Sequence, residues 1–570
     1  MSLLDPLMIV TLQDNGVDLK RRHKHNFIGF VITDDAEHDV TNIEGGGGVV
    51  EELTPIDLAL HEITIPGAYG PAAFRPSTAV LTDEQFRPAA LVTVDDAFTD
   101  ATFTRFTEFT TSTLGTKSIS GGLFSVAMAS GAIHSNFYQE GGDITFPQIA
   151  VSIKIDSITH SGSDTNTAEH AGVGIAKDSS NFIHACWRRK QGTHGAFVIQ
   201  VKIAGTANDR LTVALGADLT PPFEIGFSML SSEVAMWHKP NGGVWTLVGS
   251  YNANSDKNFK TTSLTGWTAV FSAYCDGVAQ ATFNYDNFRR GRFGCNGFRD
   301  AVAVTNPAGD PIITDDTVTL TATCTHGDSV VGSYGAVFTY NLVTRVLTQV
   351  GVLYSDRDSG YYNDSASHII KRDDGTFDYF VTSWGNTGAA NIQVLYKHET
   401  SLNLLAGANF VGSLAVLALP GLGSGGAYDP HVVKVGSTYY IAYTVGPVAA
   451  NSYYPALASS TDLSSFTAIG SDVSAAPSEG TRIVHLDDAY WVLSSHATNQ
   501  VRVYDLSMEQ QGIMTNPFNV ATNGAPPHPM LIPYGRFVHL ITFDSSLWNS
   551  NAGTNGLPRA FRGLRYGVSL

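Results

Sequence analysis

Charge is what this sequence has least of. Charged residues fill only 15% of its 570 positions, and 52 acidic side chains outnumber 34 basic ones. The resulting net charge of −18 excludes a general nucleic-acid binder and a protein held on an anionic membrane surface. Cysteine is scarce as well. Cys186, Cys275, Cys295 and Cys324 stand far apart, with no CxxC or Cys/His ligand spacing. They read as buried thiols, with a disulfide left open. No apolar run approaches the length of a membrane span. The opening MSLLDPLMIV contains an acid and a proline and has no basic segment, so it does not read as a signal peptide. The expectation is synthesis in a cytoplasm, with any later exposure by another route such as cell lysis.

Against these absences stand 56 glycines, 43% hydrophobic residues and 10% aromatics. Short alternating runs broken by Gly, Asn and Asp turns indicate an all-β chain. Its length is too great for one core. Residues 1–45 form a small module, with the basic patch Lys20 to His25 ahead of a strand, an acidic turn at Asp34 and Asp35, and a second strand. Four glycines at 45–48 interrupt regular structure. Residues 46–92, punctuated by Pro55, Pro66, Pro71, Pro76 and Pro88, read as a linker or stalk. Residues 93–292 carry strands such as IAVSIKID, GAFVIQVKIA and EVAMWHK, as expected of one β-sandwich.

The segment NFIGFVITDD, followed by VTNIEGGGG, resembles the N-terminal segments of tailed-bacteriophage fibre and other virion appendage proteins. That resemblance implies an anchor hairpin docking to other virion tail or head proteins, and a homotrimer, although no heptads mark a coiled coil. VDDAFTDATFTRF and ATFNYDNFRRGRF resemble the opening and closing strands of concanavalin-like jelly-roll lectin domains. The resemblance implies carbohydrate binding through aromatic faces, for which Trp237 or Trp267 would be the stacking platform. Burial statistics favour core positions for both. It also brings in a structural calcium, with Asp95, Asp96 and Asp286 as oxygen ligands; no other cofactor is expected.

After residue 298 an internal repeat appears. ASHIIKRDDGTFDYFVTSW, YDPHVVKVGSTYYIAYTV, EGTRIVHLDDAYWVLSS and HPMLIPYGRFVHLITF share a turn, an apolar strand, a short turn and an aromatic strand. Their aligned aromatics Phe377, Tyr439, Tyr490 and Phe537 lie 62, 51 and 47 residues apart. With a looser copy, VVGSYGAVFTYNLVTRVLTQVG, they make five units, the pattern of a five-bladed β-propeller over 298–570. FRGLRYGVSL is the candidate closing strand.

This repeat resembles the five-bladed propellers of glycosidase families 43 and 32, through DPHVVKVGSTYYIAYT, SEGTRIVHLDDAYWVLSS and ALASSTDLSSF. The resemblance implies Asp364 as base or nucleophile, Asp429 as transition-state stabiliser and Glu479 as general acid. They are spaced 429 − 364 = 65 and 479 − 429 = 50 residues apart, one per blade. Glycoside cleavage needs a proton donor of raised pKa and an opposing carboxylate, so the residue types suit the chemistry. His431, His528 and Trp384 are candidates to line the same pocket and bind substrate. Two departures stand out. Glu479 is followed by Gly480-Thr481, where the family usually has Gly-Pro. Asp364 lies two residues ahead of the repeat frame, in which Ala366 aligns with Asp429 and His528 takes the same place in the last copy.

Three readings follow. One is a virion fibre or spike that recognises a host-surface glycan. Another is a depolymerase in the same appendage. The third is a bacterial glycosidase with a carbohydrate-binding module. All three expect a glycan partner, and none expects nucleic acid or membrane insertion.

Overall fold

The computed structural model describes residues 60–63 and 92–564, less 145–147, 161–167, 190–193, 232, 244, 254–255, 258, 260–263, 279, 292–296, 326–332, 358–359, 387–391, 400, 406, 423–425, 447–451, 497–499, 516–527 and 545–556; before residue 60 it describes four short strands. Two units separate, Met1–Ala59 with Leu564–Leu570, and Leu60–Gly563. In the first, Phe30–Asp35 pairs antiparallel with Val40–Gly45, and Gln13–Asp14 pairs with Val17–Asp18. The basic patch at Lys20–His25 and the glycine run at 46–48 lie outside the described residues.

The larger unit begins its first regular domain at Val92–Asp96 and runs through Ala281–Gly291 as two stacked antiparallel sheets. Alternation decides which side chains meet between them. In Leu123–Met128 every second residue, Phe124, Val126 and Met128, is buried. Tyr138 and Phe271 from the facing sheet close on Phe124 at ring-centroid distances of 4.8 and 5.4 Å. Each such ring contributes about 1.5–3 kcal/mol through burial. Trp237, Trp245 and Trp267 are all at most 1% exposed. Asp95, Asp96 and Asp286 point to separate cations, Arg289, Arg105 and Lys154 respectively. Among the described residues they do not gather into a metal-binding group.

From Gly297 onward the chain forms five successive sheets. Their innermost strands are Gly297–Ala303, Ser365–Lys371, Ala427–Val435, Ser478–Leu486 and Met530–Tyr534. Each touches the next and the last touches the first, so the five blades close a ring. The closure of the fifth blade differs from expectation. Leu557–Leu564 is its third strand, and the outermost strand is His61–Ile63, from the segment read as a stalk. The sandwich is thus inserted between the outer strand of the last blade and the first blade.

One irregularity repeats around the ring. In four inner strands, two residues face a single partner, between Arg299 and Val302, Ser365 and His368, Tyr428 and His431, and Glu479 and Arg482. The first extra residue in each takes left-handed backbone: Asp300, Ala366, Asp429 and Gly480, with φ of 57°, 53°, 56° and 69°. Such bulges re-aim the side chains next to them. The strain of about 1–3 kcal/mol at each non-glycine position needs local support. It comes in part from the preceding blade: Thr323 Oγ1 accepts the Ala366 N–H at 3.1 Å, and Thr382 Oγ1 accepts the Asp429 N–H at 3.1 Å.

Two further contacts shape the ring. The turn after the first inner strand crosses to three other blades. Thr305 N–H donates to Ile369, Lys434 N–H donates to Pro307, and Asp310 Oδ1 meets His485 Nδ1 at 2.6 Å. From the sandwich, Leu230 packs into the same apolar cluster as Phe298 and Cys324, and Ser231 Oγ donates to Asn363 Oδ1 at 3.3 Å.

Candidate functional site

The bulges bring polar groups to one level of the ring. Asp300 from blade 1, Asp429 from blade 3 and His528 at the start of blade 5 occupy equivalent positions, and Glu479 stands one residue earlier on blade 4. His528 lies between the two aspartates, with Nδ1 3.1 Å from Asp300 Oδ1 and Nε2 3.6 Å from Asp429 Oδ2. Its ring rests on Gly480, where a Cβ would come within 2.3 Å of the imidazole. Gly480 in turn donates its N–H to Asp429 Oδ2 at 3.2 Å. Asp429, His528 and Asp300 are nearly inaccessible, whereas Glu479 is half-buried.

Two guanidiniums balance the carboxylates. Arg482, 1% exposed, donates to the Asp429 carbonyl at 3.3 Å and approaches His528 Nδ1 at 3.4 Å. Arg299 Nε lies 3.5 Å from Asp300 Oδ2. Three ionised carboxylates against two arginines would leave one uncompensated buried negative charge. A proton held on one carboxyl removes it. Burial, and then the neighbouring Asp429 and Asp300, raise the Glu479 carboxyl well above its usual range. Burial, and then Asp300, raise Asp429 too, but His528, Arg482 and the Gly480 N–H all favour its ionised form. The proton therefore belongs on Glu479. Burial lowers His528 against the pull of the two aspartates.

Donor atoms of Asp429, Glu479 and His528 lie within 4.8 Å of one another. At that spacing an ionised Asp429 is close enough to hold a proton on Glu479. The same three donors are spaced to accept a small divalent cation. However, both His528 nitrogens already face carboxylates, and Arg482 supplies positive charge at the same place.

The other sequence candidates fall around this centre. Asp364 does not join it. Fully buried, it takes a two-point contact from Arg357 at 2.9 and 3.0 Å and the Gly385 N–H at 2.9 Å. His431 lies deeper, fully buried and stacked on His368 at 3.9 Å. His368 Nδ1 accepts the Val432 N–H, so its Nε2 proton faces Thr305 Oγ1 at 3.0 Å. Burial lowers both rings, His368 to about 3 and His431 well below the usual range. They are neutral spacers rather than hands for substrate. Trp384, half-buried, leans on Tyr428 at 5.4 Å, and the Tyr428 hydroxyl hydrogen-bonds Glu479. Trp237 is fully buried and donates to Ser228 Oγ at 2.7 Å, which leaves no ring face for a sugar.

Sequence reading missed Asp300. The looser repeat copy contains Ser333–Asn341, which is the third strand of blade 1 rather than the first. The signal was present in RDAVAV, which parallels YDPHVV, with Thr323 and Thr444 facing Arg299 and Tyr428 across the blade.

No protein-family profile and no curated protein sequence matches this chain. Among solved structures it is similar to a levansucrase from Bacillus subtilis, with TM-score 0.32, 8% identity, 46% of this chain and 83% of that chain covered. A mutant levansucrase from B. megaterium gives 0.34, 9%, 46% and 82%. An alpha-L-arabinofuranosidase from Podospora anserina in complex with cellotriose gives 0.33, 12%, 48% and 92%. Scores at this level carry no functional argument.

Proposed function

We propose that the propeller is a carbohydrate-active centre that cleaves a glycosidic bond, with Glu479 as general acid, Asp429 holding its proton and Asp300 as base or nucleophile. The observation that carries this reading is the half-buried Glu479, raised by burial and by Asp429 close beside it, on the same level as a third carboxylate. In the reaction Glu479 gives its proton to the departing glycosidic oxygen. The Asp300 carboxylate either takes a proton from the attacking water or attacks the sugar carbon itself. Asp429 stays anionic and steadies positive charge at that carbon.

The setting follows the N-terminal resemblance. The chain would belong to a virion appendage, dock through residues 1–45, assemble as a homotrimer and meet a host-surface glycan. A second reading, glycan recognition without cleavage, is favoured by His528 standing between Asp300 and Asp429 with both nitrogens engaged. Incubation of the full chain with host polysaccharides and aryl glycosides separates the two. Release that falls about 100-fold or more in Glu479→Gln on polysaccharide, but far less on aryl glycosides with good leaving groups, supports the acid role. Binding with no release from any substrate supports recognition alone.

A further inference from the structure

Asp364 is a buried carboxylate outside the acid–base set, and among the described residues its side-chain hydrogen bonds run to Arg357 and Gly385. Arg357 takes both oxygens, and Gly385 donates its N–H to Oδ1 at 2.9 Å. Gly385 is the middle of the single turn Trp384–Asn386. A side chain there is excluded, since a Cβ would sit 2.8 Å from Asp364 Oδ1 and 3.0 Å from Tyr362 Cβ. Arg357 is itself fixed, lying over the Tyr362 ring at 4.1 Å. The turn thus has its middle peptide tied to a rigid ion pair, and that fixes where Trp384 projects. Trp384 is half-buried and tilted 57° against Tyr428, the residue whose hydroxyl hydrogen-bonds Glu479.

We propose that Asp364 is a positioning residue: it holds the Trp384 turn so that Trp384, backed by Tyr428, forms an aromatic wall beside Glu479 for the apolar face of a sugar ring. This rests on the reading of Glu479 as the acid. A wall beside the acid favours substrates that lay a pyranose or furanose ring against it over those with a small aglycone. An aromatic face of this kind recognises C–H surface rather than a particular hydroxyl pattern.

The experiment compares Asp364→Ala, Asp364→Asn and Trp384→Phe in the full chain. An asparagine still offers an oxygen to the Gly385 N–H, whereas an amide cannot serve as a base or nucleophile. The first readout needs no substrate: the Trp384 emission, taken as the difference from Trp384→Phe, and its quenching by acrylamide. Asp364→Ala is expected to shift that emission and increase quenching, and Asp364→Asn to keep it near the parent. On whichever oligosaccharide the parent cleaves, KM is expected to rise about tenfold in Asp364→Ala with kcat changed little, and Asp364→Asn to restore it. A parent-like Trp384 signal in Asp364→Ala overturns the proposal. So does a loss of about 1000-fold in kcat in Asp364→Asn that added azide relieves, because that identifies a lost nucleophile or base. If no substrate is cleaved, the reading of Glu479 fails while the fluorescence still decides the positioning role.

Discussion

At the scale of single residues, the centre is a problem of where one proton sits. Glu479 is raised by burial, so the folded chain binds its proton more tightly than the unfolded chain does. The sign follows: stability is greatest below the ordinary glutamate pKa and is lost as pH rises toward the raised value, by at most about 1.4 kcal/mol per pH unit. Glu479→Gln removes this loss. Its melting temperature is expected to gain on the parent steadily from acidic to neutral pH, as thermal unfolding across pH would record. The buried His368 and His431 act in the opposite direction. Their folded pKa values are depressed, so stability falls as pH drops below the ordinary histidine value. A His368→Gln, His431→Gln pair is expected to flatten that acid limb. Asp429 and Glu479 could be read from the sequence because each begins an obvious apolar strand. Asp364 stands two residues ahead of the repeat frame, but the letter alone does not separate an aspartate aimed at a cavity from one locked to an arginine.

At the scale of elements, the bulge is what makes the centre. It places Asp300, Asp429 and Gly480 at one level, where His528 of the fifth blade meets them, and it demands left-handed backbone at a position where only Gly480 is conformationally free. Gly480→Ala would drive a Cβ into the His528 ring and strain the backbone. The expected cost is about 2–4 kcal/mol in chemical denaturation, with His528 displaced and any activity lost. The repeat itself was legible, because the period-two apolar pattern and the aromatic after each short turn recur in register. Bulges were not legible, because one extra residue in a strand leaves the composition unchanged and only shifts the frame. The frame that sets Ala366, rather than Asp364, opposite Asp429 holds in the structure, where both are the first bulge residue of their strands. The absence of a visible frame for the first blade hid Asp300.

At the scale of the whole molecule, the fifth blade is completed by His61–Ile63, and the sandwich is carried as an insertion that buries Leu230 in the propeller. Removal of residues 1–45 is expected to leave the propeller's melting temperature unchanged. Removal through residue 66 strips the outer strand and is expected to lower it by several degrees. Leu230→Ala is expected to cost about 2–5 kcal/mol and to separate the unfolding of the two domains in calorimetry. Neither contact was readable in advance, since an edge strand of three residues carries almost no pattern and a lone leucine at a hairpin tip does not announce its partner. The catalytic reading itself is tested most directly by the pH dependence of glycan release, measured for the parent and Asp429→Asn on the same polysaccharide. If Asp429 holds the Glu479 proton, its neutralisation lowers the Glu479 pKa, and the alkaline limb of kcat/KM moves down by about one pH unit or more. An alkaline limb that stays in place, or no release by the parent at any pH, contradicts a working acid at Glu479.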